Sequence, residues 1–352
     1  MQFHVTNPRL IIPVYQFMKL LFFLIPLPLL AQTKLIPEAA TALTFPTKSG
    51  VFYQIEKEEN QSWKPVGEPL KGTGKEVSRI LSESPAQQFR LTELHQQWVP
   101  VWQDEFSGDQ LDPTKWSHEV NGYGGGNNEL QYYSDSPKYS SVKNGLLHLS
   151  LYRDKHTTVD GKTQPYSSAR LRTIYRGDWT YGRIEVRAKM PSGQGIWPAI
   201  WMLPTNSPYG GWAAGGEIDL VESRGSLVDR TIGTLHFGGQ WPKNAYTGSE
   251  YLFPDKNSAE EFHIYGLEWK KDEIHWFVDG KKWQTINKKD WHSASAKKSD
   301  TAPFDTPFHL ILNVAAGGHF FGGTTQDPNK LPDSAFPQTM LVDYVRVSQW
   351  AE

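Results

Sequence analysis

The stretch Gly215-Gly216-Glu217-Ile218-Asp219-Leu220-Val221-Glu222-Ser223-Arg224 sets three carboxylates within six positions, interleaved with Ile, Leu and Val. The apolar residues predict a strand. Turn-like Gly215-Gly216 bounds it ahead and Ser223-Arg224-Gly225 behind. Side chains alternate faces along a strand, so Glu217 and Asp219 share one face. Glu222 lies three positions beyond Asp219 and falls on the opposite face unless a β-bulge absorbs one residue. A bulge lines up all three acids on one surface. Acids are depleted in strands, and neighbouring like charges resist ionising. Such a row is therefore costly unless it is used. The plain alternative is a surface strand of solvated acids.

Outward from this strand, residues 98–352 read as all-β. Runs with apolar or alternating character recur every ten to fifteen positions. They include Leu146-Leu147-His148-Leu149-Ser150-Leu151, Arg183-Ile184-Glu185-Val186-Arg187-Ala188, Ile264-Tyr265-Gly266-Leu267-Glu268-Trp269, Ile274-His275-Trp276-Phe277-Val278 and Val342-Asp343-Tyr344-Val345-Arg346-Val347. Asp279-Gly280 between Val278 and Lys281 is a hairpin signal. No amphipathic helix or internal repeat is evident, and residues 287–306 read as one long polar loop. The pattern predicts a two-sheet antiparallel sandwich of the jelly-roll kind.

The N-terminal third differs. Residues 18–31 hold a basic start at Lys19 and an eleven-residue apolar run from Leu20 to Leu30, then Ala31. This has the form of a secretory signal peptide. It is too short to span a bilayer and is interrupted by Pro26 and Pro28. Residues 1–33 are thus expected to be a signal region, with Met1 or Met18 as the start, and the mature protein to be secreted, extracellular or periplasmic. No Cys follows the run, which excludes a lipoprotein anchor. Residues 34–94 read as a small β module of four or five short strands, such as Val51-Phe52-Tyr53-Gln54-Ile55, between Gly- and Pro-containing turns. A spacer is expected rather than a sugar platform, because the module has a single tryptophan, Trp63. The main domain is expected over 95–352.

Composition excludes several classes. The net charge is -2, so no nucleic-acid or membrane-surface footprint is expected. The chain has no Cys, and its 11 His show no metal-binding spacing. Aromatic residues are abundant, with 14 Trp, 15 Tyr and 17 Phe, and every Trp but Trp63 lies at or after Trp98. Flat rings beside polar groups suit the C–H faces and hydroxyls of sugars. Glycosidic hydrolysis needs two carboxyl groups flanking the bond, about 5–5.5 Å apart in a retaining enzyme. On a bulged strand Glu217 and Glu222 meet that need, with Asp219 between them to hydrogen-bond one and tune its proton affinity. Strand geometry alone leaves open which Glu is the nucleophile.

The spacing Glu217-x-Asp219-x-x-Glu222 resembles the signature of glycoside hydrolase family 16. Further segments resemble its bacterial laminarinase branch. They include Asn127-Asn128-Glu129-Leu130-Gln131-Tyr132, Ser168-Ala169-Arg170, Gly195-Ile196-Trp197-Pro198-Ala199-Ile200-Trp201-Met202, Tyr209-Gly210-Gly211-Trp212-Ala213-Ala214, Gly233-Thr234-Leu235-His236-Phe237-Gly238-Gly239 and Leu312-Asn313-Val314-Ala315. The resemblance implies a concanavalin-like jelly roll with a concave sugar cleft. It also implies that Glu217 is the nucleophile, Glu222 the acid/base and Asp219 the assistant. Trp197 and Trp201, four apart on one strand face, form a stacking floor or core tryptophans. Asn128 and Arg170 donate to sugar hydroxyls, or Arg170 pairs with a surface acid. Trp212, in a Gly/Ala-rich loop, is a ligand contact, and the match places His236 near the acids. One departure stands out: after Gly317-Gly318, where the pattern has a Trp, this chain has His319-Phe320-Phe321. No cofactor is expected for catalysis. The family does imply a structural calcium, here at Glu105, the Gly145 carbonyl and Asp343, against an ordinary acid pair.

The function these residues imply is that of a monomeric, secreted, retaining endo-glycosidase acting on β-1,3 glucans or mixed β-1,3-1,4 glucans. The alternatives are a hydrolase or transglycosylase on agar or carrageenan, or a non-catalytic β-glucan-binding protein. Retention of both Glu residues counts against the last.

Overall fold

The computed structural model describes residues 41–82, 87–296, 299–321 and 328–352. The expected signal region, Met18 and residues 34–40 lie outside them. Among the described residues no helix is long and apolar enough to cross a membrane.

The chain divides into two compact units, one running through Val101 and including Gln349–Glu352, the other Trp102–Ser348. In the first, strand Thr41–Pro46 pairs with Glu76–Leu81. Strand Phe52–Glu59 pairs with Ser62–Pro65, Leu70–Lys71 and Phe89–Leu94. These six strands are more than the four or five expected, because Leu70–Lys71 is only two residues long. Leu43, Phe45, Tyr53, Ile55, Leu70 and Leu81 form the core. The Arg90 guanidinium lies 4.7 Å over the ring of Trp63, so that ring is not an open sugar platform.

In the second unit the strands that matter are β1 (Ser117–His118), β2 (Ser140–Lys143), β3 (Leu146–Leu151), β4 (Arg170–Arg172), β5 (Gly182–Lys189), β6 (Ile196–Pro204), β7 (Glu217–Glu222), β8 (Arg230–Gly238), β9 (Asn244–Leu252), β10 (His263–Trp269), β11 (Glu273–Val278), β12 (Lys281–Asn287), β13 (Phe308–Ala316) and β14 (Gln338–Ala351), of which the stretch up to Ser348 belongs to this unit. One sheet runs β9-β8-β7-β6-β13-β4-β1, the other β2-β3-β14-β5-β10-β11-β12. Every pairing along both orders is antiparallel. This is the expected sandwich.

The alternation in Arg183-Ile184-Glu185-Val186-Arg187-Ala188 works as it reads. Ile184, Val186 and Ala188 are buried, and the charged residues between them are not. By contrast β13 is buried at every position, as a central strand covered on both faces must be. Asp279 and Gly280 take φ of 50° and 75° and close the β11–β12 hairpin in two residues, the left-handed pair that a type I′ turn requires.

Candidate active site

Strand β7 carries the bulge. Against β6, Trp201 faces Asp219 and the next residue back, Ile200, faces Val221, which leaves Leu220 unpaired. Against β8 the register likewise shifts between Asp219 and Glu222. Ile218 and Val221 are fully buried and Leu220 nearly so. Asp219 faces Trp201, and Glu222 faces Ala199, which clusters with Trp197, Ala315 and Phe321. Residues 197, 199 and 201 share a face by alternation, so the acids opposite them share it too.

Two features outside β7 hold the bulge. The indole N–H of Trp276, from β11 in the facing sheet, donates to the Asp219 carbonyl at 2.8 Å. This satisfies a buried backbone acceptor. Opposite the bulge on β8 sits Gly233. A Cβ there would stand 2.6 Å from the Trp276 ring. Only glycine lets that indole approach.

The acids are individually partnered. Glu217 Oε2 accepts from Trp212 Nε1 at 2.7 Å. Glu222 Oε1 accepts from Trp197 Nε1 at 3.1 Å. His236, paired with Glu217 across β7–β8, holds Nε2 3.3 Å from Asp219 Oδ2 and 3.8 Å from Glu217 Oε1. Burial, with Asp219 beside it, pushes Glu217 up to about 8. Burial likewise raises Asp219. Glu222 is raised well above the usual range by burial, then by the charges of Asp219 and Glu217. The two outer acids nonetheless differ. Glu217 is drawn back toward its anion by His236, the Trp212 N–H and the Arg170 charge. Glu222 faces two carboxylates, against His236 and one indole N–H. Of the two, Glu217 is the more readily ionised and Glu222 the more firmly protonated.

The remaining expected residues distribute unevenly. Trp212 is 41% exposed, as a ligand contact requires. Trp197 does not form an open floor: it is 9% exposed, and its ring stacks on Phe320 at 4.3 Å. Trp201 shares its face, donates to Asn313 Oδ1 at 2.7 Å and carries the Arg170 guanidinium 4.6 Å over its ring. Arg170 is itself buried, with Nε 3.3 Å from Glu119 Oε2, so it braces Trp201 and does not reach outward. Asn128 is exposed at φ 56° and donates to His319 Nε2 at 2.6 Å.

The reading from sequence missed several neighbours. Trp241 and Tyr246 are 71% and 72% exposed. Trp241 lies 6.4 Å from Trp212, and Tyr246 lies 5.9 Å from His236. Beneath Trp201, Asn313 Nδ2 donates to Tyr133 Oη at 3.0 Å, and Tyr133 donates to buried Glu129 at 3.3 Å. A lone Asn inside the apolar run of β13 was the available signal for this relay.

The expected calcium donors are already engaged. Both oxygens of Glu105 take Arg346, at 2.7 and 2.8 Å, and Asp343 takes Arg187 at 2.5 Å. Gly145 offers a positive-φ turn with open space around it. As placed, two paired carboxylates and one turn carbonyl fall short of the six to eight oxygens that Ca²⁺ takes.

A family model described as glycosyl hydrolases family 16 matches residues 127–346. A glucan endo-1,3-beta-glucosidase A1 from Niallia circulans is 44% identical over 258 residues, 70% of this chain and 37% of that protein, so the chain spans little more than a third of that relative. A beta-glucanase from Rhodothermus marinus is 40% identical over 273 residues, 72% of this chain and 86% of that one. Among solved structures, the catalytic domain of an endo-1,3-beta-glucanase (laminarinase) from Thermotoga petrophila RKU-1 gives a TM-score of 0.64 at 35% identity, covering 73% of this chain and all of that one. With these matches and the bulged acid strand together, the chain belongs to glycosyl hydrolases family 16.

Proposed function

We propose that the protein is a secreted, monomeric, retaining endo-β-1,3-glucanase, with mixed β-1,3-1,4 glucans as further substrates. The observation that carries this is the bulge at Leu220, which turns Glu217, Asp219 and Glu222 onto one face beside exposed Trp212. The β-1,3 linkage is supported by the relatives named as endo-1,3-β-glucosidase and laminarinase. The mixed linkage is supported by a similar structure described as a non-specific endo-beta-1,3(4)-glucanase, at 37% identity and TM-score 0.61. Secretion is supported by the apolar run behind Lys19.

In this reading Glu217 attacks the anomeric carbon while the glycosidic oxygen departs with the proton of Glu222. Glu222, now an anion, takes a proton from water, which displaces Glu217 with net retention. Trp212 and His236 stabilise the nucleophile's charge before attack. Asp219 stands between the two, with Oδ2 3.3 Å from His236 Nε2, and negative charge on it favours the proton on Glu222. Arg170 and Asn313 hold the Trp201 wall. No step passes through a metal.

The test is hydrolysis of laminarin, lichenan, agarose and carrageenan by the purified protein, with the anomer of the first product followed by NMR. The expected result is β-anomer release from laminarin, and loss of at least about a hundredfold in rate for Glu217→Gln and Glu222→Gln. Undiminished hydrolysis by Glu217→Gln would sink the nucleophile assignment. Laminarin binding without hydrolysis would make the protein a binding module.

A further inference from the structure

Trp197 stands against Glu222, yet it presents no open face to a sugar. Its indole lies parallel to Phe320, with centroids 4.3 Å and planes 10° apart. The Arg224 guanidinium lies 4.6 Å over the same Phe320 ring. A ring face already held by an indole has no room for it, so Arg224 caps the opposite face. Arg224 is held in turn by Glu250 at 3.5 Å, which also takes Arg230 at 3.1 Å. The loop bearing Phe320 is pinned at its neighbour: His319 N donates to the Asn127 carbonyl at 2.8 Å, and its Nε2 accepts from Asn128. The result is a three-layer stack, Trp197–Phe320–Arg224, joining the exit of β7 to the loop after β13.

We propose that Phe320 is a positioning residue, clamping the Trp197 indole so that its N–H stays on the Glu222 carboxylate while that group loses and regains its proton. This rests on the glucanase reading above. When Glu222 gives its proton to the leaving group it becomes an anion in a dry site, and an aimed donor stabilises that anion. Four groups face Glu222: Asp219 and Glu217 from its own strand, His236 from β8 and Trp197 from β6. Only the Trp197 donor is under the control of Phe320. A free indole swings about χ1 and χ2; one stacked between a sheet and a capped phenyl ring does not.

The test measures kcat, KM and the pH profile on laminarin for the parent, Phe320→Ala, Phe320→Tyr and Arg224→Met, with Tm for each. Phe320→Ala is expected to lower kcat about tenfold while KM changes less than about twofold. Its basic limb should move to higher pH, because a Glu222 anion that loses a donor holds its proton longer. Phe320→Tyr should restore both, and Arg224→Met should fall between. A purely structural role would lower Tm and leave the basic limb in place. Unchanged kcat and an unmoved limb in Phe320→Ala overturn the proposal; so does the same result in Arg224→Met if the alanine variant does not fold. An inactive parent overturns the glucanase reading, and this inference with it, which separates the two failures.

Discussion

At the residue scale, the acid row costs stability, and its cost depends on pH. Asp219 is 1% exposed, and its carboxyl is held above the usual range by burial. In the unfolded chain it ionises near pH 4. Below that, folded and unfolded states are both protonated and the group's full contribution is present. Between pH 4 and the raised folded value the unfolded chain releases its proton and the folded one keeps it. Stability therefore falls as pH rises through this window. Asp219→Asn removes the effect. Its Tm is expected to match the parent near pH 4 and to exceed it at pH 8, where its stability should be greater by on the order of 2 kcal/mol, since one pKa unit is about 1.4 kcal/mol. Thermal melts from pH 4 to 8 decide it: parallel curves for the two proteins would show that Asp219 ionises normally in the fold. Activity should drop in the same variant, because the amide replaces a carboxyl group that lies within the acid row, 3.3 Å from His236 Nε2.

At the scale of the element, the bulge shows how far sequence carries and where it stops. Three acids at the spacing Glu217, Asp219, Glu222 demand it, and the register supplies it at Leu220. Its support was not legible, because Trp276 lies 57 positions away in another sheet and reads from sequence only as an apolar strand residue. The same holds for Trp197. Alternation places it correctly beside Trp201, but only the fold brings Phe320 onto its ring, and no local pattern encodes a contact between distant loops. Gly233 is the hinge of the matter. In Gly233→Ala the new methyl meets the Trp276 ring at 2.6 Å, so either the indole withdraws from the Asp219 carbonyl or β8 shifts. Overpacking costs about 1–3 kcal/mol, and a buried carbonyl left without its donor adds about 1–3 kcal/mol. The variant is expected to lose several degrees in Tm. Its activity should fall further than that of a control with equal Tm loss in the first unit, such as Leu43→Val. Equal activity in the two variants at matched Tm would show that the bulge tolerates loss of its brace.

At the scale of the whole molecule, the sandwich was readable because both sheets repeat one instruction, apolar inward and polar outward, strand after strand. What was not readable was how its charges pair once the ends of the second unit meet. Glu105 and Arg346 are 241 positions apart and bind through both oxygens. Arg187 and Asp343 are 156 apart. The family resemblance implied that these two carboxylates serve a calcium ion, whereas the fold gives each a guanidinium. Both ion pairs are partly exposed, with side-chain accessibilities between 34% and 46%. Each is therefore worth at most about 1 kcal/mol, and a dication binding tightly would displace them at small cost. Calcium thus competes against weak pairs, and its absence of effect would have to come from the donor set. Two separately neutralised carboxylates and one turn carbonyl fall short of the six to eight oxygens that Ca²⁺ takes. Melts in millimolar calcium and in millimolar chelator are accordingly expected to agree to within about 1 °C, well under the roughly 2–4 °C that 1 kcal/mol produces in a domain of this size. A rise of several degrees with calcium, saturating with concentration as ligand linkage requires, would mean that Glu105 and Asp343 leave their arginines to build the site. Arg346→Gln would then strengthen the calcium response, and without such a rise it would only lower Tm slightly.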